Sequence, residues 1–310
     1  MKILVYYFTG SGNTERVLRK FEEEFKKDGH SVDFVKIENQ IYKLDKKVDV
    51  NHDDYDLIGI GYPIHAFNAP QIIYDWAKSL DKTDKMKRAF IINTSAEPLY
   101  VNHAGAIKIT KILKKRGLDV QNEYHYVMPY DMIYRHKQKM AFRMWDTAQK
   151  LIPIDARTII EGKSEMYKQV KCAALWAWFL RIEHFGSKFN GLFYSVNKKK
   201  CINCHKCVNN CPIENIKLKD GKIKFGAKCT MCQRCTYFCP TDAIRTGMFN
   251  SWRVNTPYKF EYTDDDNAYD NTNPINVKRA NFYNSFWCKS VYPRYFKEAE
   301  EKIAKYNQEK

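Results

Sequence analysis

The chain has 310 residues, enough for about two domains. Its hydrophobic content of 44% and aromatic content of 15% indicate folded cores and argue against a disordered chain. The formal net charge is +16, of which residues 1–150 carry +5 and the remaining residues +11. Such a basic surface favours anionic partners, namely an acidic protein, anionic lipid or nucleic acid, although a merely solvated basic surface explains it too.

The sequence contains no apparent export or membrane-spanning segment. The first residues, MKILVYYFTG, form a short apolar run that meets glycine and polar residues at once, unlike a signal peptide. The longest later apolar run, residues 172–180, is far shorter than the roughly 20 residues that span a bilayer. We therefore expect a cytoplasmic protein with no transmembrane segment.

The chain begins with a strand, a loop of small polar residues and a helix. Residues 2–8 form a dense apolar run typical of a strand buried on both faces, and residues 16–27 have the periodicity of an amphipathic helix. Between them lie Thr9, Gly10, Ser11, Gly12, Asn13 and Thr14. Hydroxyl and amide donors at a helix start suit a phosphate monoester, while an ordinary turn and helix cap is the alternative.

Two better-known phosphate loops are excluded by the letters of this loop. It has no Gly-Lys-Ser/Thr, so it is not a nucleoside-triphosphate loop. The third glycine of the dinucleotide-binding pattern would fall on Glu15.

Strands and helices then alternate along the chain. Apolar runs predict further strands, and amphipathic runs predict helices between them. The strands are expected at residues 32–37, 56–62, 88–94 and 121–128, and the helices at 70–80, 103–116 and 140–162, the last broken or restarted at Pro153. This order predicts an α/β fold with an open, doubly wound, five-stranded parallel sheet. A ligand should lie beyond the carboxyl ends of its strands, where three loops converge.

These loops resemble those of flavodoxins, and the resemblance covers residues 1–163. It rests on the TGSGNT letters of residues 9–14, on GYPIHAFNAP at 61–70 and on NTSA at 93–96. The resemblance implies the strand order 2-1-3-4-5 and an FMN cofactor whose phosphate binds to residues 9–14. The flavin ring would then contact Tyr62, Pro63, Ile64, His65, Ala66, Phe67, Asn68, Thr94, Ser95 and Ala96.

Eight of the ten cysteines lie within residues 201–240, spaced C-x-x-C-x-x-C-x-x-x-C-P twice. This spacing is typical of two [4Fe–4S] clusters, and the fourth cysteine of each run is expected to ligate the other cluster. The first cluster would use Cys201, Cys204, Cys207 and Cys239, and the second Cys229, Cys232, Cys235 and Cys211. Zinc is the alternative, but zinc modules place two cysteine pairs further apart.

The double run resembles bacterial two-cluster ferredoxins, small α+β domains, and every ligand position of that pattern is filled. The two remaining cysteines, Cys172 and Cys288, are interpreted as a buried thiol and a non-ligand. We expect the ferredoxin-type domain to occupy residues 197–247. Residues 164–196 should form an aromatic helical bridge docked between the two domains, with a membrane-surface helix or a partner groove as the alternative. Residues 248–310 should form an aromatic extension that packs on the domains.

The order of these parts resembles flavodoxin–ferredoxin fusion proteins. That resemblance implies an electron-transfer protein that relays electrons between FMN and two [4Fe–4S] clusters and on to redox partner proteins, converting between two-electron and one-electron carriers. The alternative is an enzyme, an FMN-dependent reductase of a small acceptor that receives electrons through the ferredoxin domain. The basic surface favours an acidic partner, no nucleic-acid-binding module is recognised, and a homodimer remains open.

Overall fold

The computed structural model describes residues 1–83, 85–168, 173–264, 278–279, 281–282, 285 and 289–309. Five parallel strands form the central sheet in the order β2-β1-β3-β4-β5. The strands are β1 (Lys2–Tyr7), β2 (Ser31–Lys36), β3 (Leu57–Pro63), β4 (Lys87–Ser95) and β5 (Leu118–Val127). The predicted α/β fold and strand order are confirmed, and this order is that of flavodoxin-like folds.

Helices cover both faces of the sheet. They are α1 (Asn13–Lys27), α2 (Ile37–Ile41), α3 (Gln71–Ser79), α4 (Ile107–Lys115) and α5 (Gln138–Ile160), with 3-10 helices at Leu44–Lys46, His52–Asp54 and Tyr100–Ala106. Helix α1 buries Val17, Leu18, Phe21 and Phe25, which share one side of the helix. These side chains pack with β1, β4 and α5 in one of the two main cores.

Pro153 does not break the last of these helices, contrary to the prediction. Helix α5 continues through it as one element of 23 residues. Proline removes one backbone hydrogen bond and costs about 3 kcal/mol within a helix. Here Leu151, Ile152 and Ile154 on either side of it are buried, so the packing of α5 offsets that cost.

The cysteine-rich part repeats its backbone as well as its sequence. It contains β6 (Tyr194–Val196), α8 (Lys206–Asn209), β7 (Ile216–Lys219), β8 (Lys222–Phe225), α9 (Arg234–Tyr237) and β9 (Ile244–Thr246). Strand β6 pairs antiparallel with β9, and β7 with β8. Left-handed backbone conformations fall at matched positions of the two cysteine runs: Asn203 with Met231, His205 with Gln233, and Glu214 with Asp242. The internal repeat therefore folds as a pseudo-two-fold unit.

This unit joins both hydrophobic cores of the larger sheet. Tyr237 is buried with α1 and α5 on one face. Cys211, Ile213 and Ile216 are buried in the core on the opposite face, which contains α3 and α4. Because apolar side chains cross the boundary on both faces, the two parts pack as one continuous structure.

Most aromatic side chains of the segment between them are exposed, although Tyr194 is buried and Tyr167 stacks on His103, so the expected docking between domains is wrong for its two helices. It forms α6 (Ala173–Leu180) and α7 (Ile182–Gly191), of which only small or polar side chains such as Ala173, Ala177, Ser187 and Asn190 are buried. Nine large apolar side chains are each 49–72% exposed and together define the aromatic surface: Leu175, Trp176, Trp178, Phe179, Ile182, Phe185, Phe189, Leu192 and Phe193.

The C-terminal extension packs on the sheet domain. Val254, Tyr258 and Phe260 enter the core beside α1 and α5. The C-terminal helix, Tyr292–Gln308, buries Tyr292 and Phe296 against β5 and α5. The Lys302 ammonium of this helix lies 2.7 Å from the buried Asp155 carboxylate of α5 and 2.9 Å from the Glu165 carboxylate. It therefore balances the negative charge of Asp155 in the interior.

Among the residues that the structure describes, every helix is too short or too polar to span a bilayer.

Glu123 provides a test of the buried sheet. Its side chain lies in β5, one carboxylate oxygen is 3.4 Å from the Asn93 amide, and the other has no hydrogen-bond partner among the described residues. Burial raises the pKa of Glu123 from 4.5 to about 8. Between these values the unfolded chain releases a proton that the folded chain keeps, so the free energy of unfolding falls as pH rises.

We expect Glu123→Gln to raise the free energy of unfolding at neutral pH by roughly 1–3 kcal/mol and to flatten its decline between about pH 5 and pH 8. Urea unfolding at several pH values measures both effects. The exposed Glu23→Gln on α1 is the control and should leave the slope unchanged. An unchanged slope in Glu123→Gln would contradict the assignment.

Candidate functional site

A cavity of about 400 Å³ lies where the carboxyl ends of the central strands meet. Its volume falls within the usual range of small-molecule sites. All three loops singled out in the sequence contribute to it, through Thr9, Gly10, Ser11, Asn13, Thr14, Pro63, Ile64, His65, Ala66, Phe67, Thr94, Ser95 and Ala96. Gly12, Tyr62 and Asn68 do not line the cavity.

The first loop places backbone and side-chain donors at the start of α1. Gly12 adopts φ +99° immediately before the helix, and its N–H donates to the Thr9 hydroxyl at 3.0 Å. The Asn13 amide donates to the carbonyl of Pro129 at 2.8 Å, which fixes the loop against the chain after β5. The first-turn N–H groups of a helix lack partners within the helix and favour an anion. The loop therefore fits a terminal phosphate.

The second loop turns sharply at Ala66 and Phe67. Both residues have positive φ, 47° and 60°, and the backbone groups of His65 and Asn68 bond to each other at 2.8 and 2.9 Å. Two consecutive residues of positive φ define a type I′ turn, which is strained without glycine. Asn68 holds the turn, because its amide donates to the Ala177 carbonyl at 2.7 Å and its side-chain oxygen accepts from Arg181 at 3.0 Å.

The histidine of this loop is neutral over the physiological range. Burial, with a smaller contribution from the nearby His184, lowers the pKa of His65 to about 4. A neutral imidazole in the cavity wall can donate one hydrogen bond and accept another. Tyr62 lies below the loop, fully buried, with its hydroxyl 3.4 Å from the Gly105 carbonyl. The Tyr100 hydroxyl, further along the chain after β4, donates to the Glu298 carboxylate of the C-terminal helix at 2.6 Å.

The third loop is fixed by buried hydroxyl groups. The hydroxyls of Thr14 and Thr94 lie 2.8 Å apart and connect the first loop to the third. Ser95 bonds to His125 at 2.7 Å and accepts from the Asn102 amide at 3.0 Å. The third loop is therefore braced from the first loop on one side and from β5 on the other.

Sequence reasoning missed the contribution of the segment that follows β5. Residues 128–133 line the cavity, and so does Glu97. Asp131 lies beside the first loop, where it accepts a hydrogen bond from Ser11, and burial raises its pKa to about 6. In a parallel sheet, ligands bind beyond the carboxyl ends of the strands, and residues 128–133 follow the carboxyl end of β5. Applying this rule to β5 would have identified the segment from the sequence.

The cysteine-rich unit also reaches this cavity. Thr230 and Met231, which lie between Cys229 and Cys232, are part of its lining. Gly10 of the first loop meets the second cysteine run so closely that an added methyl group would lie 2.2 Å from the Cys232 carbonyl oxygen. A side chain at this position is therefore excluded by backbone contact. Of the two cysteine runs, the second is the one in contact with the loop proposed to bind phosphate.

Arg234 connects the same two regions through buried polar bonds. Its guanidinium lies 2.7 Å from the Glu38 carboxylate and donates to the Thr9 carbonyl at 2.5 Å and to the Asn210 carbonyl at 3.2 Å. Only 13% of the Arg234 side chain and 4% of that of Glu38 are exposed. Burial lowers the pKa of Arg234, but the negative charges of Glu38, Cys232 and Cys211 outweigh it and hold the pKa above its usual value.

The eight cysteines fall into two groups that mix the two runs. Cys201, Cys204, Cys207 and Cys239 line one small cavity of about 20 Å³. Cys211, although it belongs to the first run, lies close enough to Cys229, Cys232 and Cys235 to act on the pKa of each thiol. This grouping supports the exchange of the fourth ligands. Cys172 and Cys288 lie outside the described residues.

The surroundings of the sulfurs suit cluster thiolates. The N–H groups of Asn215 and Ala243 donate to Cys211 and Cys239 at 3.2 Å each, and these two bonds are equivalent in the repeat. Hydrogen bonds to cluster sulfurs are one means of setting reduction potential. In the part of the chain that is described, no three His, Cys, Asp or Glu side chains gather around the position of a single metal ion. Thiolates at the corners of a cubane are spaced more widely than the ligands of one ion.

Comparisons with known proteins agree with the division into a flavodoxin-like sheet and a cysteine-rich unit. A family profile described as a 4Fe-4S dicluster domain matches residues 200–244. No curated protein matches the chain. Its similarity to flavodoxin–ferredoxin fusion proteins is confirmed in both parts, by the strand order of the sheet and by this match.

Solved structures similar to the N-terminal part include several flavoproteins. A flavodoxin from the domain Archaea is 15% identical, with a TM-score of 0.32, over 52% of this chain and 99% of that one. Megasphaera elsdenii flavodoxin is 21% identical, with a TM-score of 0.28, over 40% and 84%. An FMN-dependent NADH-azoreductase from Bacillus anthracis is 12% identical, with a TM-score of 0.34, over 51% and 99%. The redox role rests on the 4Fe–4S dicluster match together with the flavodoxin-like strand order of the sheet.

The contact between Gly10 and Cys232 can be tested by adding one methyl group. Gly10→Ala must separate the first loop from the second cysteine run, and we expect it to lower the free energy of unfolding by about 1–3 kcal/mol, as overpacking does. Denaturant unfolding followed by absorbance measures the loss. Gly186→Ala is the matched control, since a methyl group there meets no atom within 4 Å. Equal stability of the two variants would show that the contact is absent.

Proposed function

We propose that the protein is an electron carrier that relays electrons between FMN and two [4Fe–4S] clusters and passes them to redox partner proteins. Flavin exchanges one or two electrons and each cubane exchanges one, so a chain that holds both converts between the two kinds of carrier. The observation that carries the proposal is the shared wall of the cavity. Its lining combines the three loops of the flavodoxin-like sheet with Thr230 and Met231 of the second cysteine run.

The residues present fit these groups. The first loop supplies hydroxyl, amide and backbone donors for a phosphate without a lysine or metal, and His65 and Phe67 stand beside the rest of the cavity. For the clusters, the two groups of four thiols each include one cysteine from the other run. We infer that the cluster held by Cys229, Cys232, Cys235 and Cys211 exchanges electrons with the flavin. The chain between Cys229 and Cys232 is part of the wall of the flavin cavity.

The surroundings of this second group also favour a role beside the flavin. Arg234 adds a buried positive charge next to Cys232 and Cys211. A positive charge near a cluster favours its more negative, reduced form and so raises its potential. The same guanidinium binds the Thr9 carbonyl of the phosphate loop. One side chain thus fixes the position of the loop and biases the charge state of the neighbouring cluster.

We further propose a cytoplasmic location and an acidic redox partner. Cysteines that hold clusters suit a reducing compartment. Exposed lysines at 198–200 and 206 lie next to the first cysteine run and favour an acidic partner on that side. Electrons would then enter or leave through the cluster that contains Cys201 and Cys204, which is the group further along the relay from the flavin cavity.

The alternative is an FMN-dependent reductase of a small acceptor. One observation favours it: the cavity wall includes Glu97, whose buried carboxyl group accepts a hydrogen bond from Tyr130. Burial raises the pKa of Glu97, and the Tyr130 bond opposes that shift only in part. A carboxyl group with a raised pKa beside the cavity is a candidate proton donor to a reduced acceptor. Sustained turnover of a small acceptor, lost in Glu97→Gln with FMN retained, would distinguish this enzyme from a carrier.

The repeat offers a matched pair of variants for the relay. Cys204 and Cys232 hold equivalent positions in the two runs, and the protein purified without oxygen should contain about eight iron atoms and one FMN per chain. Either Cys204→Ser or Cys232→Ser should lower the iron content to about half. Electron exchange between flavin and iron, followed by stopped-flow absorbance, should fall at least tenfold in Cys232→Ser and persist in Cys204→Ser.

FMN content serves as the check that each variant is folded. If Cys204→Ser stops the exchange and Cys232→Ser does not, the other cluster serves the flavin. Zinc in place of iron in the purified protein would refute the cluster assignment altogether.

A further inference from the structure

Helix α7 buries small and polar side chains and exposes large apolar ones, the reverse of the pattern expected for a helix in water. Its inward side consists of Ser187, Asn190 and Gly191, while Ile182, Phe185 and Phe189 point outward. Asn190 explains the inward side, because its amide donates to the Thr246 carbonyl at 3.0 Å and its oxygen accepts from the Met248 N–H at 2.9 Å. The polar face of α7 therefore has its hydrogen-bond partners within the protein, whereas its apolar face is exposed. Large exposed apolar patches mark interaction sites.

Helix α6 exposes apolar side chains over most of its circumference. It contains no polar side chain, and only Ala173 and Ala177 are buried. At about 100° per residue, the exposed residues from Ala174 to Phe179 span an arc of about 200°. A rigid protein partner would cover one side of such a helix. A fluid hydrocarbon layer can surround the whole arc, because lipid chains adapt to the helix surface.

Three cations lie near α7, and the Lys188 ammonium is 6.0 Å from the centre of the Phe185 ring of the aromatic surface. Lys108, Arg181 and Lys188 lie close enough to His184 of α7 to lower its pKa, in addition to the larger effect of burial, and Asp75 opposes them. Lys108 also lies close to Lys78 and Arg181. Cations beside an apolar helix face are the pattern of helices that lie on anionic bilayers. Two copies of this chain that met through the same face would bring these like charges together, which argues against a second copy as the occupant.

We propose that the aromatic surface binds an anionic phospholipid bilayer, with α6 and α7 lying in its interfacial layer. Trp176 and Trp178 suit this layer, since indole rings prefer the boundary between headgroups and acyl chains. The proposal does not depend on the electron relay. Membrane binding would nevertheless affect the proposed flavin site, because Leu180, Glu183 and His184 of the same helices line the cavity of about 400 Å³. Binding therefore places a wall of that cavity at the membrane surface.

Flotation of the full-length holoprotein with lipid vesicles tests the proposal. Vesicles of equal parts phosphatidylglycerol and phosphatidylcholine should bind the protein, added salt should weaken the binding, and phosphatidylcholine alone should bind far less. Trp176→Gln combined with Phe185→Gln alters one side chain on each helix. Each substitution should weaken binding about tenfold, because burying roughly half of a large apolar side chain contributes about that factor. The double variant should therefore bind the vesicles about a hundredfold more weakly.

Met86→Gln is the matched control, since Met86 is 57% exposed and precedes β4 at the opposite end of the sheet from the cavity. It should bind vesicles as the unaltered protein does. FMN and iron contents confirm folding of both variants. Three results would overturn the proposal: no binding to the anionic vesicles, equal binding by the double variant, or a lipid-free dimer that the double variant abolishes. The last would assign the aromatic surface to a second copy.

Discussion

The buried ion pair between Arg234 and Glu38 fixes the two halves of this protein relative to each other. Arg234 belongs to the helix that carries Cys235, Glu38 belongs to α2, and the same guanidinium donates to the carbonyl of Thr9. Removing one partner of a buried ion pair typically costs about 3–5 kcal/mol, because it leaves an uncompensated charge. The pair therefore acts less as a source of net stability than as a constraint on orientation. With that orientation set, Gly10 and Cys232 meet backbone to backbone.

This constraint determines which parts of the chain would exchange electrons under the proposed function. A short loop on the flavodoxin-like sheet and a cysteine run on the ferredoxin-type unit share one cavity wall. The proposed flavin site and the proposed cluster site are therefore neighbours, without a flexible tether between them. Apolar contacts on both faces of the sheet, through Tyr237 on one and Ile213 and Ile216 on the other, support the same arrangement. Cys211 and Cys239, which we propose are exchanged between the clusters, would then extend the connection from the second group of thiols to the first. Under the proposed function, the fold thus arranges one flavin site and two cluster sites in series.

Local patterns were sufficient to predict the elements and most of the site, because each depends on residues close in sequence. Each of these signals lies within about a dozen consecutive residues: the apolar runs, the TGSGNT loop and each cysteine run. The contact of Gly10 with Cys232 joins residues more than 200 positions apart, and nothing in either loop encodes the partner. Asp131 was missed for a similar reason, since its place beside Ser11 depends on how the chain returns after β5. The aromatic segment was misread because hydrophobic residues are usually buried, and a helix that exposes them has the same composition.

The central claim is that electrons pass between flavin and iron–sulfur cluster within one chain. Flash reduction of the flavin in oxygen-free holoprotein, with both cofactors followed by absorbance at several protein concentrations, tests it directly. If the shared cavity wall is the route, bleaching of the iron–sulfur absorbance follows reduction of the flavin at a rate that does not change with protein concentration. A rate that rises in proportion to protein concentration would mean that electrons cross between molecules, and the account would be wrong.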